Sequence, residues 1–134
     1  MIRTQINPYL VFDGNCADAM TFYHECLGGE LTLQTVGESP MAGQFPPEMH
    51  ERILHSSLVK DGLILLASDM AGSEGVWQGN SIALSLLCST EEEIYTFFAN
   101  LSRGANVTRP LHPFFAGTIG ALTDRYGIDW IIKL

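Results

Sequence analysis

His55 is the residue of this chain whose type and surroundings best suit it to chemistry. It sits in the run Ile53-Leu54-His55-Ser56-Ser57-Leu58-Val59, which reads as a strand. Alternation puts His55, Ser57 and Val59 on one face of that strand and Ser56, Leu58 and Lys60 on the other. If the first set faces a binding cup, the imidazole can donate to a ligand carbonyl or act as a general base near neutral pH. The competing reading is a buried histidine bonded to backbone. No Ser-His-Asp order and no activated cysteine accompanies it. His24 falls on an expected helix and His50 in an expected loop, where solvated histidines are common. Cys16, Cys26 and Cys88 are odd in number and lack CxxC spacing, so they read as core thiols rather than metal ligands or a disulfide.

A second candidate group lies near the end of the chain, where Phe114, Phe115, Asp124, Tyr126, Asp129 and Trp130 make the last hairpin aromatic and acidic. Aromatic walls with a few polar groups suit a flat or hydrophobic ligand, and Phe115 is the foremost pocket residue. Core packing explains the same aromatic residues equally well. Asp124-Arg125-Tyr126-Gly127 is itself a turn, in which the Asp caps local amides and the Gly takes the strained conformation.

The composition narrows the partners. A chain of 134 residues, 46% hydrophobic, is long enough for a folded domain with its own core. A formal charge of −8 with no cluster of Lys or Arg argues against nucleic acid or an anionic lipid surface, since both need a positive patch. The N-terminal residues lack the apolar stretch of a signal peptide, and no apolar run approaches the roughly 18 residues of a membrane span, which predicts a cytoplasmic protein.

The elements that must position these groups are written twice. Asn15 stands at a helix N-cap with Asp18 three later, then Ala19, Phe22, Tyr23 and Cys26 at helical spacing before Gly29. Thr90, Glu93, Ile94, Phe97, Phe98, Leu101 and Gly104 repeat that pattern at a constant offset. Strands are expected at 6–12, 30–36, 52–59 and 63–68 around a helix at 16–27. Asp61-Gly62 supplies the positive φ of a tight hairpin. Residues 38–50, broken by three prolines, are expected as a loop without regular structure, either a lid or a plain excursion. A second set follows: strand 81–87, helix 91–103, and strands 106–111, 115–123 and 128–134. The expectation is an α+β fold in one domain, 1–134, with module one at 1–70, a glycine-rich linker at 71–79 and module two at 80–134. Each module is βαβββ, and together they make a curved, roughly eight-stranded mixed sheet with helices outside and a concave cup inside.

Three segments also carry a resemblance. Asn-Pro-Tyr-Leu-Val-Phe-Asp-Gly-Asn-Cys at 7–16, Phe-Tyr-His-Glu-Cys-Leu-Gly-Gly-Glu-Leu at 22–31 and Leu-Thr-Asp-Arg-Tyr-Gly-Ile-Asp-Trp-Ile-Ile at 122–132 look like the PhnB-like branch of the glyoxalase/bleomycin resistance/dioxygenase superfamily, the vicinal oxygen chelate (VOC) proteins. The resemblance implies paired βαβββ modules, commonly in homodimers. It implies no single activity, since the superfamily spans lyases, isomerases, dioxygenases, thiol transferases and drug-sequestering proteins. Its metal enzymes place one ligand on the first and one on the last strand of each module, which puts Asn7, Leu66, Ser81 and Ile131 at those positions here. Leu and Ile offer a divalent ion no donor, and Asn and Ser are weak ones. A register slip would substitute Ala67 and Ile132, which are no better.

No cofactor is therefore expected. A displaced divalent metal, for example on His55 with Asp69 or His112, is the alternative. Relatives of this branch sometimes carry a methyltransferase label, but Asp13-Gly14-Asn15-Cys16 has one glycine where a nucleotide loop wants several. The reading is a cytoplasmic homodimer that binds a small organic molecule in its cup through Asn7, His55, Ser81 and Phe115, without the usual metal. The rivals are a glyoxalase-type lyase or isomerase using a displaced metal or His55 as base, and a structural or regulatory dimer whose cup is filled by Leu66 and Ile131.

Overall fold

The computed structural model of the chain describes residues 3–115 and 117–134. The chain divides into two compact units, one ending at Val76 and the other beginning at Trp77. In unit one the order is β1 (Tyr9–Val11), α1 (Cys16–Leu27), β2 (Glu30–Thr35), β3 (Ile53–Lys60) and β4 (Leu63–Ser68). In unit two it is β5 (Leu84–Leu87), α2 (Glu91–Leu101), β6 (Asn106–Phe114), β7 (Gly117–Thr123) and β8 (Asp129–Lys133). All eight expected strands are present, as two four-stranded sheets ordered β1-β4-β3-β2 and β5-β8-β7-β6. In each, the first strand runs parallel to the last and the other pairings are antiparallel. The βαβββ module is therefore built twice with one topology.

Each helix covers one face of its own sheet. Ala19, Met20, Phe22, Tyr23, Cys26 and Leu27 of α1 are buried, as are Leu58, Leu65 and Ala67 of the sheet. In unit two Ile94 and Leu101 are buried with Leu122, Trp130 and Ile132. Gly120 lets α2 approach β7 closely: a Cβ there would lie 2.7 Å from the Phe98 ring.

The two helix starts, alike in sequence, are capped differently. Thr90 Oγ1 accepts the Glu93 N–H (3.1 Å) and Glu93 Oε1 accepts the Ser89 N–H (2.9 Å), which is close to a capping box. Asn15 makes no such side-chain bond. Its role passes to Asp69, just beyond β4, whose Oδ1 accepts the N–H groups of Gly14 and Cys16 and whose Oδ2 accepts that of Ile53, each at 2.9 Å. Asp69 is 2% exposed. One carboxylate thus ties the start of α1, the start of β3 and the end of β4, while Arg52 donates to the Asp69 carbonyl (3.0 Å) and pairs with Asp13 (2.9 Å).

Other departures have local causes. The strand expected at 6–12 begins only at Tyr9, because Pro8 has no N–H for the ladder, although its carbonyl accepts the Leu66 N–H. The strand expected at 81–87 begins at Leu84. β6 runs beyond the expected 106–111 to Phe114, through Pro110 and Pro113. It lies at the sheet edge, where proline costs no paired N–H, and it carries two register shifts. In the β3–β4 hairpin the positive φ falls on Asp61 (49°). Residues 38–50 contain two short 3₁₀ turns, Ala42–Gln44 and Pro47–Met49. Among the described residues no helix is long and apolar enough to cross a membrane.

Candidate functional site

Because α1 covers one side of the first sheet, the strand registers identify what the other side presents. Leu10, Ala67, Ser56 and Leu33 lie in line across the sheet, and Ser56 is held against α1 by a 3.5 Å contact with Cys16 Sγ. The neighbouring line, Tyr9, Leu66, Ser57 and Thr32, must point away from the helix. His55 shares that open face and pairs with Gln34. It is exposed and makes no hydrogen bond among the described residues, so the backbone-bonded reading does not hold. Asn7 lies two residues before β1 and is half-buried. Leu66 sits on the open face beside Tyr9 and Ser57.

The second sheet is read in the same way. Trp130 and Ile132 face α2, so Ile131, in line with Ser85, Ala121 and Arg109, lies on the open face and is 39% exposed. Ser81 is exposed in the segment before β5, whereas the step matching Asn7, counted from the parallel bridge, carries Ala83, which has no donor either. Phe115 is 92% exposed at the β6–β7 turn, its ring 4.6 Å from that of Phe114. The aromatic and acidic hairpin does not form one wall. Trp130 is buried, its Nε1–H donating to Asp124 Oδ2 (2.8 Å), and Asp124 Oδ1 accepts the N–H groups of Tyr126 and Ile128. Asp124 and Trp130 therefore belong to the core and its turn, with Gly127 at φ 87°.

The remaining titratable groups are structural. Half-buried His50 is not the solvated loop histidine expected: its Nε2–H lies 2.9 Å from the Ala42 carbonyl and 3.1 Å from that of Phe45, pinning the 38–50 loop. His24 Nδ1 is buried with no partner. Both oxygens of Asp69 are occupied by backbone N–H groups, so it is not placed to share a cation with His55. Among the described residues no three His, Cys, Asp or Glu side chains gather as metal ligands. Cys16, Cys26 and Cys88 are buried, and among the described residues none forms a disulfide. Burial pushes Cys16 up to about 11, with the Ser56 contact lowering it and Asp69 raising it; burial and then Glu93 push Cys88 to about 11.

A raised thiol pKa stabilises the folded state below the unfolded value near 9, and that contribution is lost as pH climbs to about 11, at roughly 1.4 kcal/mol per pH unit per thiol. The native protein is therefore expected to leave Ellman's reagent unreacted at pH 8, to react fully in denaturant, and to lose stability between pH 9 and 11. Rapid thiol labelling of folded protein at pH 8 would contradict this.

The pairing of two βαβββ modules with these sheet orders defines the class: this is a vicinal oxygen chelate fold. The chain belongs to the 3-demethylubiquinone-9 3-methyltransferase family, whose pattern it matches over residues 4–133. It is 34% identical to the protein PA1353 of Pseudomonas aeruginosa, covering 98% of this chain and 97% of that one, with a TM-score of 0.86. It is 29% identical to protein YjdN of Escherichia coli over 96% of this chain and 94% of that protein. The PhnB protein of Bacillus cereus is 23% identical, covers 98% of this chain and 99% of its own, and superposes at a TM-score of 0.74.

The family name implies a methyl donor, and the residues at the one strand-to-helix turn of unit one do not fit a nucleotide cradle. The β1–α1 turn has a single glycine, and the N–H groups of Gly14 and Cys16 that would face an anion are already held by Asp69. At the positions where the family resemblance places the superfamily's metal ligands, Leu66 and Ile131 bring hydrocarbon, a donor set that does not fit a divalent ion. Sequence reasoning missed Thr32, Gln34, Arg109 and Lys133 on the open faces, and named His112 only as a ligand for a displaced metal. Thr32 and Gln34 follow from alternation along β2 and Lys133 from alternation with Ile131 along β8, whereas Arg109 and His112 share a face only through register shifts in β6 that no sequence pattern announces.

Proposed function

We propose that the protein is a cytoplasmic homodimer that binds a small organic molecule without the metal of its superfamily. The observation that carries this reading is the open face of the first sheet. There His55 is exposed, in register with Gln34 and near Ser57 and Thr32, while Leu66 brings hydrocarbon to a position where the family resemblance would put a metal ligand. Such a face offers neutral hydrogen-bonding groups beside hydrocarbon, which suits the carbonyl-bearing part of a small organic molecule. Asn7 and His55 are the candidate contacts in unit one, Ser81 and Phe115 those in unit two. Largely exposed Trp77, Ile82 and Phe115 support a second copy as the partner, since large apolar side chains in quantity mark an association surface.

The test is an NMR titration with uncharged aromatic ketones in the presence of EDTA. The amides of Thr32, Gln34, His55 and Ser57 are expected to shift, and His55→Ala to weaken binding about threefold or more, the loss of one hydrogen bond. Binding that disappears with EDTA, or that ignores His55→Ala, would sink the proposal.

A further inference from the structure

β6 does something that alternation alone forbids. Arg109 and His112 are three residues apart and would point to opposite sides of a regular strand. The ladder shows otherwise: Val107 pairs with Leu122, Arg109 with Ala121 and His112 with Ile119, so β6 uses an extra residue at each of two steps. These are β-bulges, devices that re-aim side chains. Val107 is left on the α2 side with buried Leu122, while Arg109 and His112 both turn to the open face.

Lys133 joins them. It is in line with His112 through Ile119, and with Leu87 on its other side. Arg109 lies in the adjacent line, with Ala121, Ile131 and Ser85. Lys133 and His112 stand two strand spacings apart, about 10 Å between backbones, a gap that long side chains bridge with one small anion between them. In a chain with 7 Lys and Arg against 15 Asp and Glu, this gathering is against composition. The groups are also uncommitted: among the described residues neither Arg109 nor Lys133 makes an ion pair or side-chain hydrogen bond. Asp129, the carboxylate on the next line, is engaged by the Thr123 hydroxyl at 2.6 Å. His112 is fixed by a 2.9 Å bond between Nδ1–H and the Pro110 carbonyl inside the bulge, so its Nε2 donates to an anion only when both ring nitrogens carry protons. Beside the cations lies hydrocarbon, with Leu87 70% exposed and Ile131 39%.

We propose that the open face of the second sheet holds a small organic anion, its carboxylate, sulfonate or phosphate between Arg109, His112 and Lys133 and its apolar body over Leu87, Ile119 and Ile131. This rests on the small-molecule reading above and adds the charge of the ligand. The chain's net negative charge does not preclude it, because screening beyond about 8–10 Å leaves the local groups in control.

Two dyes of one shape separate the ideas: 8-anilinonaphthalene-1-sulfonate, an anion, and uncharged N-phenyl-1-naphthylamine, each titrated by fluorescence into the full chain. The anion is expected to bind more tightly, and Arg109→Gln with Lys133→Gln to weaken it about tenfold while changing the neutral dye less than about twofold, as loss of charge-assisted bonds requires. Arg109→Lys should retain most of the affinity. Unchanged melting of the variants by circular dichroism shows that the fold is intact. Neutral dye bound with no preference for the anion, or an anion affinity indifferent to the double substitution, overturns the anion site and leaves small-molecule binding standing. Binding of neither dye overturns both.

Discussion

Asp69→Ala is expected to destabilise the protein by about 4 kcal/mol, the largest single loss argued from this structure. The carboxylate is buried and accepts three backbone N–H groups, from Gly14, Cys16 and Ile53. Truncation leaves those donors without acceptors, and each buried unpaired amide costs about 1–3 kcal/mol. The bond at Gly14 is only partly buried, and backbone freed by the truncation can turn to other acceptors or water, which sets the estimate in the lower part of the summed range. Because domains of this size have only about 5–15 kcal/mol in total, melting should fall on the order of 10–15 °C. Asp69→Asn makes the account sharper. Its one oxygen can keep the Gly14 and Cys16 donors, but its amide then faces the Ile53 N–H donor to donor, so an intermediate loss is expected. Urea unfolding checks both variants, and an alanine variant within about 1 kcal/mol of the parent would refute the staple.

The second large effect is expected at Gly29→Ala, about 3 kcal/mol. Gly28 and Gly29, which end α1 and begin β2, have φ of 79° and 91°. A side chain at such φ costs about 1–2 kcal/mol by itself. At Gly29 a Cβ would also stand 2.9 Å from the Val59 carbonyl oxygen and 3.0 Å from Lys60 Cβ, so backbone must move in β3. Gly14 provides the comparison: its φ is 104°, but a Cβ there meets nothing within 4 Å. Gly14→Ala should therefore cost only the conformational part. Equal losses at the two positions in denaturant unfolding would show that the approach to β3 carries no energy.

How much of this was legible in the sequence follows from which interactions are local. The α1 boundaries, the Gly28-Gly29 stop, the Asp61-Gly62 hairpin and the Asp124 turn depend on neighbours within a few residues, and alternation put His55 with Ser57 before any register was known. The cap of α1 was misread because Asn15 has the right residue type while the working acceptor, Asp69, reaches it only after β4 has folded beside β1. The sequence puts Phe115 first among the pocket aromatics, with Trp130 in the same group; burial on the α2 side claims Trp130, and the β6–β7 turn exposes Phe115. Arg109 and His112 share a face only because β6 is bulged, and a bulge is set by the pairing with β7 rather than by the residues of β6 alone.

The central proposal is that this chain keeps the vicinal oxygen chelate scaffold without the metal centre of its enzymes, because Leu66 and Ile131 stand where the family resemblance places two of the ligands. Elemental analysis of protein purified without chelator, paired with melting in EDTA and in added Zn²⁺, Ni²⁺, Mn²⁺ or Fe²⁺, tests it most directly. The account predicts metal far below stoichiometric and a melting temperature that none of these additions moves, since an ion with no site in the folded state cannot stabilise it. Near-stoichiometric metal that EDTA removes with a fall in melting temperature would contradict it.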